Sequence, residues 1–274
     1  MHERVGTYAD RSKLTIEVIM TQALKGKLAL VTGASRGIGA AIATRLARDG
    51  ASVIVHYASS SARAEAVVQA IRDAGGEAEA VGANLAKPEG VTALIDSLNG
   101  VFGGRFEGRL DILVNNAGTV EYGPFLDSSE TSYDTHFNLN VRAPIELAKD
   151  AAQRMIKTGW GRIVNVGSAF GEAAPLPGVT LYIASKFAIR GFTRGLSREL
   201  GKYGVTVNAV QPGPIDTELA PQPGTEDHAT MTKLASVGRF GKPEEIAAAV
   251  SYLASPEAGY TTGESLTVDG GWIA

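Results

Sequence analysis

Short apolar, β-branched runs recur along the chain, each followed by a longer stretch whose apolar positions return every three or four residues. The runs at 28–32, 52–57, 78–83, 111–115, 161–167, 205–210 and 265–268 read as strands. The stretches at 37–49, 62–74, 88–103, 131–158, 180–202 and 243–254 carry helical periodicity. Strand alternating with helix predicts a parallel sheet with crossover helices on both faces. Near-continuous apolar runs such as Arg162-Ile163-Val164-Asn165-Val166 fit strands buried on both sides. One segment breaks the rhythm. Residues 212–225 carry Pro212, Gly213, Pro214, Pro221, Pro223 and Gly224, and a weaker helical pattern follows over 226–240. This segment leaves the carboxyl end of a strand, where open α/β sheets bind ligands, so it is expected to be a substrate lid.

Nothing in the pattern marks a repeat or an interdomain linker. Residues 1–24 are polar apart from the stretch 16–20 and are expected to be a flexible N-terminal extension to one domain over 25–274. The extension lacks the longer apolar region and small-residue cleavage site of a secretory leader, and no run approaches the length of a membrane span, so a cytoplasmic protein is expected. The length of 274 residues suits one large α/β domain. A net charge of −3 offers no footprint for nucleic acid or an anionic membrane. The absence of cysteine excludes disulfides, thiolate nucleophiles and cysteine-held metals. His2, His56, His136 and His228 have no metal-ligand spacing and read as ordinary surface or half-buried residues; no metal is expected.

Behind the first predicted strand stands Thr32-Gly33-Ala34-Ser35-Arg36-Gly37-Ile38-Gly39. A strand, a glycine turn and a helix start form an anion site, because helix N-termini expose unpaired N–H groups and partial positive charge. The spacing G-x-x-x-G-x-G differs from the common G-x-G-x-x-G, yet its context favours nucleotide binding. Asn115-Asn116-Ala117-Gly118 ends a strand, where asparagine amides can brace a site floor or simply make a turn. Ser168 ends another. Tyr182 and Lys186 stand one helical turn apart, and a nearby ammonium would favour the phenolate and lower the tyrosine pKa. Such a tyrosine can exchange a proton with a carbonyl or alcohol oxygen, which a serine hydroxyl can hold, although the pair taken alone reads better as a core tyrosine with a solvated lysine.

The ordered set of the glycine turn, Asn115-Asn116-Ala117-Gly118, Asn140, Ser168, Tyr182, Lys186, Pro212-Gly213 and the ending Leu266-Thr267-Val268-Asp269-Gly270-Gly271 resembles the short-chain dehydrogenase/reductase family from about Lys25 to Ala274. The resemblance implies a single Rossmann domain, a doubly wound seven-stranded parallel sheet with a small lid, and reversible hydride transfer between a nicotinamide and a carbonyl or secondary alcohol. It implies Tyr182 as general acid/base, Lys186 on the nicotinamide ribose and depressing the tyrosine pKa, Ser168 on the substrate oxygen and Asn140 on a water-mediated proton path. The implied cofactor set is Gly33, Ser35, Arg36, Gly37, Ile38, Gly39, Tyr57, Ser59, Asn84, Leu85, Asn116, Ala117, Gly118, Tyr182, Lys186, Pro212, Gly213, Ile215 and Thr217, the last two on the carboxamide. Asn84 departs from the aspartate common at the adenine contact but keeps an acceptor oxygen.

The second strand ends Val55-His56-Tyr57-Ala58-Ser59-Ser60-Ser61, without a carboxylate to hold the NAD diol. Arg36, with Ser59 and Ser60, can instead meet a 2′-phosphate, so NADP(H) is expected ahead of NAD(H). Thr119, Val120, Tyr122, Ala169, Phe170, Ala173, Ala174, Leu176, Val179, Ile215 and Leu219 predict a small or apolar pocket with Glu172 as its only charge. A free, neutral, fairly apolar carbonyl or alcohol is the expected substrate. Two alternatives stand beside this small-molecule carbonyl reductase. The first is a 3-oxoacyl-(acyl-carrier-protein) reductase, in which Lys157 and Lys202 would replace arginines expected at Gly159 and Tyr203. The second is a nucleotide-ligand-binding regulatory protein, since a cyclic-dinucleotide-binding relative shares Gln211-Pro212-Gly213-Pro214-Ile215-Asp216-Thr217. The resemblance implies a homotetramer, or a dimer, built on helices 131–158 and 180–202. The ending Gly271-Trp272-Ile273-Ala274 reads either as a second interface or as intramolecular packing.

Overall fold

The computed structural model describes residues 22–274. The predicted extension, 1–24, lies outside the described residues except for its last three, of which Leu24 is buried and donates its N–H to Asp49 O at 2.8 Å.

Seven parallel strands form one sheet in the order β3-β2-β1-β4-β5-β6-β7. They are β1 (Leu28–Val31), β2 (Ser52–Tyr57), β3 (Glu77–Gly82), β4 (Ile112–Asn115), β5 (Gly161–Val166), β6 (Val205–Pro212) and β7 (Ser265–Val268). The helices are α1 (Gly37–Arg48), α2 (Ser61–Asp73), α3 (Pro88–Ser97), α4 (Glu130–Phe137), α5 (Ala143–Thr158), α6 (Thr180–Leu200), α7 (Glu226–Leu234) and α8 (Pro243–Ala254). The strand order reverses between β1 and β4, so their carboxyl ends open a crevice there. Apolar strand side chains feed a core on each face. Val31, Val53, Val55 and Val114 pack with Ile42 and Leu46 of α1 and Ile246 and Val250 of α8. On the other face Leu30, Ile54 and Leu113 pack with Leu94 of α3 and Leu147 and Met155 of α5.

Two predicted helices differ from the sequence reading. The helix expected over 88–103 ends at Ser97, because glycine turns at 100 and 103–104 follow and Phe102 takes a left-handed φ of 52°. The helix expected over 131–158 is interrupted by a π turn, Asn138–Arg142. Pro144, near the start of α5, has no N–H to return to Asn140, so the regular i to i+4 ladder cannot pass this point. The turn delivers Asn140, which is buried, to the crevice side. Two predicted surface or half-buried histidines, His56 and His136, are fully buried.

The segment expected to be a lid, 212–240, is closed at its base by a short bridge between Ile215 and Gly241. Gly241 N–H donates to Pro214 O and Asp216 N–H to Gly241 O, both at 2.9 Å, which pins both ends of the excursion. Its helix, α7, sends Met231 into a small cluster with Phe170 and Trp272. Trp272 is buried against Phe170, with ring centroids 5.1 Å apart and nearly perpendicular, and its role within one chain is this intramolecular packing. No helix among the described residues is long and apolar enough to cross a membrane.

Candidate active site

A cleft of about 430 Å³ runs over the carboxyl ends of the strands. At one end lies the glycine turn. Gly33 and Gly37 have φ of 63° and 55°, which side chains disfavour. A Cβ on Gly33 would lie 2.9 Å from Ala117 Cα, and one on Gly39 would collide with Gly33 O and Asn116. No side chain caps the N-terminus of α1, and its first turn holds no acidic residue, so its donors and dipole remain available to an anion.

Three side chains fix this turn, two of them buried (Thr32 and His56) and one half-buried (Asn116). Thr32 Oγ1 accepts the N–H groups of Asn116 and Ala117, each at 2.9 Å. Asn116 Nδ2 returns bonds to Thr32 O at 2.8 Å and Gly33 O at 3.1 Å. His56 Nδ1 accepts the Gly33 N–H at 3.1 Å while Nε2 reaches Ala83 O at 3.0 Å, which places the ring proton on Nε2. Burial pushes the His56 pKa down to about 4, against the weaker raising effect of Ala83 O, so the ring is neutral and both bonds persist at neutral pH.

At the other end stand Ser168, Tyr182 and Lys186. Ser168 follows β5 in extended conformation, with its N–H held by Gln211 Oε1 at 2.6 Å and its Oγ accepting from Phe170 N–H at 3.2 Å. Gln211 is fully buried in β6, the neighbouring strand. Tyr182 and Lys186 occupy one face of α6. Lys186 Nζ donates to Val166 O at 3.1 Å and lies 5.4 Å from the Tyr182 ring centroid. Burial lowers the Lys186 pKa to about 8. The Tyr182 hydroxyl does not follow the expected lowering. Desolvation pushes it up to about 12, outweighing the hydrogen bond to Ser168. Removing charge from water therefore dominates here over the bond from Ser168, and Tyr182 holds its proton at neutral pH.

Asn140 stands behind this group. Its Nδ2 donates to Thr119 O at 2.9 Å and Ser185 Oγ at 3.0 Å, and its Oδ1 accepts the Thr119 N–H at 2.9 Å. The side chain thereby clamps the strand exit after Gly118, where an added Cβ would lie 3.2 Å from Asn140 Oδ1 and 3.6 Å from Lys186 Nζ. Ser35, Arg36, Ile38, Ser59, Asn84, Leu85, Ala117, Pro212, Gly213, Ile215 and Thr217 line the cleft with the glycines, Ser168, Tyr182 and Lys186. Asn84 Oδ1 accepts the Ala86 N–H at 3.1 Å, so the acceptor that replaces aspartate braces its own turn.

Several expectations need correction. Tyr57 does not line the cleft, because strand alternation turns its ring over Gly82 and presents His56 instead. Ala169, Ala173, Ala174, Leu176 and Val179 are not wall residues; the wall is Thr119, Val120, Tyr122, Phe170, Ile215 and Leu219, joined by Met231, Phe240 and Trp272. Glu172 is not a pocket charge either, since Arg190 of α6 pairs with it at 2.5 Å. The sequence reading assigned no role to His56, Gln211, Arg63 or Glu218. A polar residue in a strand buried along its length is the signal that could have found the first two, His56 in β2 and Gln211 in β6.

The cradle fits a dinucleotide. The glycine turn clears space at an uncapped helix N-terminus, and the lysine and tyrosine lie along the same cleft at the far side of the β1/β4 switch point. Comparison with known proteins agrees. A family model described as enoyl-(acyl carrier protein) reductase matches residues 33–273. The 3-oxoacyl-(acyl-carrier-protein) reductase FabG of Vibrio cholerae is 41% identical over 90% of this chain and 98% of its own length. A cyclic-di-GMP-binding biofilm dispersal mediator protein of Escherichia coli is 40% identical over 92% of this chain and 99% of its own. The crystal structure of a short chain dehydrogenase from Burkholderia cenocepacia in complex with NADP superimposes with a TM-score of 0.85, at 42% identity over 92% of this chain and 100% of that one.

Proposed function

The chain belongs to the short-chain dehydrogenase/reductase family of oxidoreductases, and from that premise we propose that it is an NADP(H)-dependent reductase of a small, fairly apolar carbonyl compound. The observation that carries this reading is the convergence of Ser168, Tyr182 and Lys186 at one end of a cleft whose other end is a glycine-lined helix N-terminus. NADP bound to the Burkholderia relative supports the choice of cofactor. The nicotinamide, when bound, supplies or accepts the hydride.

The chain's own residues handle the proton and the substrate oxygen. The Ser168 hydroxyl holds that oxygen, and Tyr182 Oη gives it a proton in reduction. With its pKa raised to about 12 the hydroxyl is protonated throughout the neutral range, so the proton that reduction requires is in place. Lys186, charged below about pH 8, binds the nicotinamide ribose and stabilises the phenolate left on Tyr182 once the proton has gone. Asn140 fixes the segment after Gly118 along the cofactor channel and supports the path that returns a proton to Tyr182. Phe170, Met231 and Trp272 exclude water and favour an apolar substrate. The reductase name of the Vibrio relative supports a second substrate class, carrier-protein thioesters, with exposed Lys157 and Lys202 as docking charges. Exposed Ile145 of α5 and Phe187 of α6 support the expected homotetramer, which light scattering tests.

The test is consumption of NADPH and NADH with ketones, aldehydes and 3-oxoacyl thioesters, using Tyr182→Phe as control. Activity with a free carbonyl that disappears in the control supports the reading, and activity with thioesters alone selects the second class. Silence across the panel together with tight cyclic-di-GMP binding would replace it by a regulatory function.

A further inference from the structure

Glu218, at the root of the lid, aims its carboxylate at two guanidinium groups. Arg36 Nη1 donates to Oε2 at 2.6 Å. Arg63 Nη1 donates to the same oxygen at 2.8 Å and to Oε1 at 3.1 Å. Arg36 closes the glycine turn, and Arg63 lies in the first turn of α2, just beyond Ser59 and Ser60. Both therefore flank the carboxyl end of β2, where a sheet of this type receives the adenosine ribose. All three side chains are about half exposed, at 43%, 53% and 58% for Arg36, Arg63 and Glu218, so a ligand can reach them. Two guanidinium forks meeting at one oxygen match a dianionic phosphate better than a single carboxylate.

We propose that Glu218 is a displaceable internal occupant of the site between Arg36 and Arg63, which on the NADP(H) reading receives the 2′-phosphate. The phosphate takes the place of the carboxylate on both arginines, and like-charge repulsion then moves Glu218, and with it the start of the lid, away from β2. Glu218 thus sets cofactor preference in two ways: it competes with the phosphate before binding and couples the adenosine end to the lid after it. The proposal rests on the NADP(H) reading above.

The test separates the two. Titration calorimetry compares 2′,5′-ADP, which carries the 2′-phosphate, with 5′-ADP, which carries a free diol, on the wild type, Arg63→Ala and Glu218→Gln. Neither ligand contains nicotinamide, so turnover is not involved. We expect Arg63→Ala to weaken 2′,5′-ADP about tenfold, as the loss of a charge-assisted bond implies. We expect Glu218→Gln to tighten it about threefold, the scale of an exposed competing ion pair. Both variants leave 5′-ADP unchanged. If the wild type does not prefer 2′,5′-ADP, the NADP(H) reading itself falls. If the wild type prefers it but both variants bind it as wild type does, only the shared subsite and the exchange are overturned. Weaker 5′-ADP binding by Glu218→Gln also overturns the exchange, because the carboxylate would then be a ligand of the diol.

Discussion

Thr32→Val isolates the smallest part of the site with the largest structural leverage. The substitution keeps the side-chain shape and removes one oxygen, so it opens no cavity. Thr32 is 1% exposed, and its Oγ1 accepts two backbone N–H groups, from Asn116 and Ala117, each at 2.9 Å. A buried donor left unsatisfied costs about 1–3 kcal/mol, and relaxation recovers part of two such costs, so a loss of ~3 kcal/mol is expected. For a chain of this size that is a fall of about 8 °C in thermal midpoint. Scanning calorimetry reads it directly. Thr32→Ser keeps the oxygen and loses only a methyl group, so it should fall by less than half as much. Equal losses in the two variants would refute the argument, since the methyl and not the hydroxyl would then be what matters. A Thr32→Val midpoint within 1 °C of wild type, well under the expected fall, would do the same.

Further outcomes follow from the same geometry. Tyr182→Phe should lower turnover by about 10²–10⁴-fold, the range of general acid catalysis, while 2′,5′-ADP affinity is retained; unchanged turnover removes Tyr182 from the proton step. Gly39→Ala forces a methyl onto Gly33 O and Asn116, an overpacking cost of about 1–3 kcal/mol that should appear as weaker binding of 2′,5′-ADP and 5′-ADP alike; selective loss of one ligand contradicts a shared cradle. His56 titrates near 6.5 in the unfolded chain and at about 4 in the folded one, so on acidification the unfolded state takes up a proton first. Stability from this group is full above about pH 6.5 and falls by ~3 kcal/mol on descending to about pH 4. His56→Asn keeps an acceptor for Gly33 N–H and should remove up to one proton from that slope, and an unchanged slope assigns the acid sensitivity elsewhere.

The sheet was legible because buried parallel strands announce themselves as apolar runs, and all seven lie within a residue or two of their expected bounds. The chemistry-bearing side chains of the cleft were legible because strand ends and one helix face are local properties. What stayed hidden depends on partners distant in sequence. Glu172 looks like a pocket charge until Arg190 claims it, and Arg36 looks free until Glu218 arrives from the segment after β6. The Tyr182 pKa was misjudged for the same reason, because desolvation is set by everything packed around the hydroxyl and not by the lysine one turn away. The helix break at Asn138–Arg142 had a local signal in Pro144, but a proline in the first turn of a helix is also compatible with an unbroken start, so position alone did not decide it.

The π turn before α5 amounts to one residue more than an α-helix would spend on the same rise. The wider turn absorbs that residue, so α4 and α5 keep the relative phase an uninterrupted helix would give them, and only the residues inside 138–142 are turned off the positions that about 3.6 residues per turn would assign. Asn140 reaches Thr119 and Ser185 from within this turn, while His136, one turn earlier, stays in phase to accept the Glu121 N–H at 3.2 Å. Deleting one residue from 138–142 would leave the flanking helices facing as they do and remove the displaced position itself. The extra residue lets the chain aim one side chain without re-aiming its neighbours.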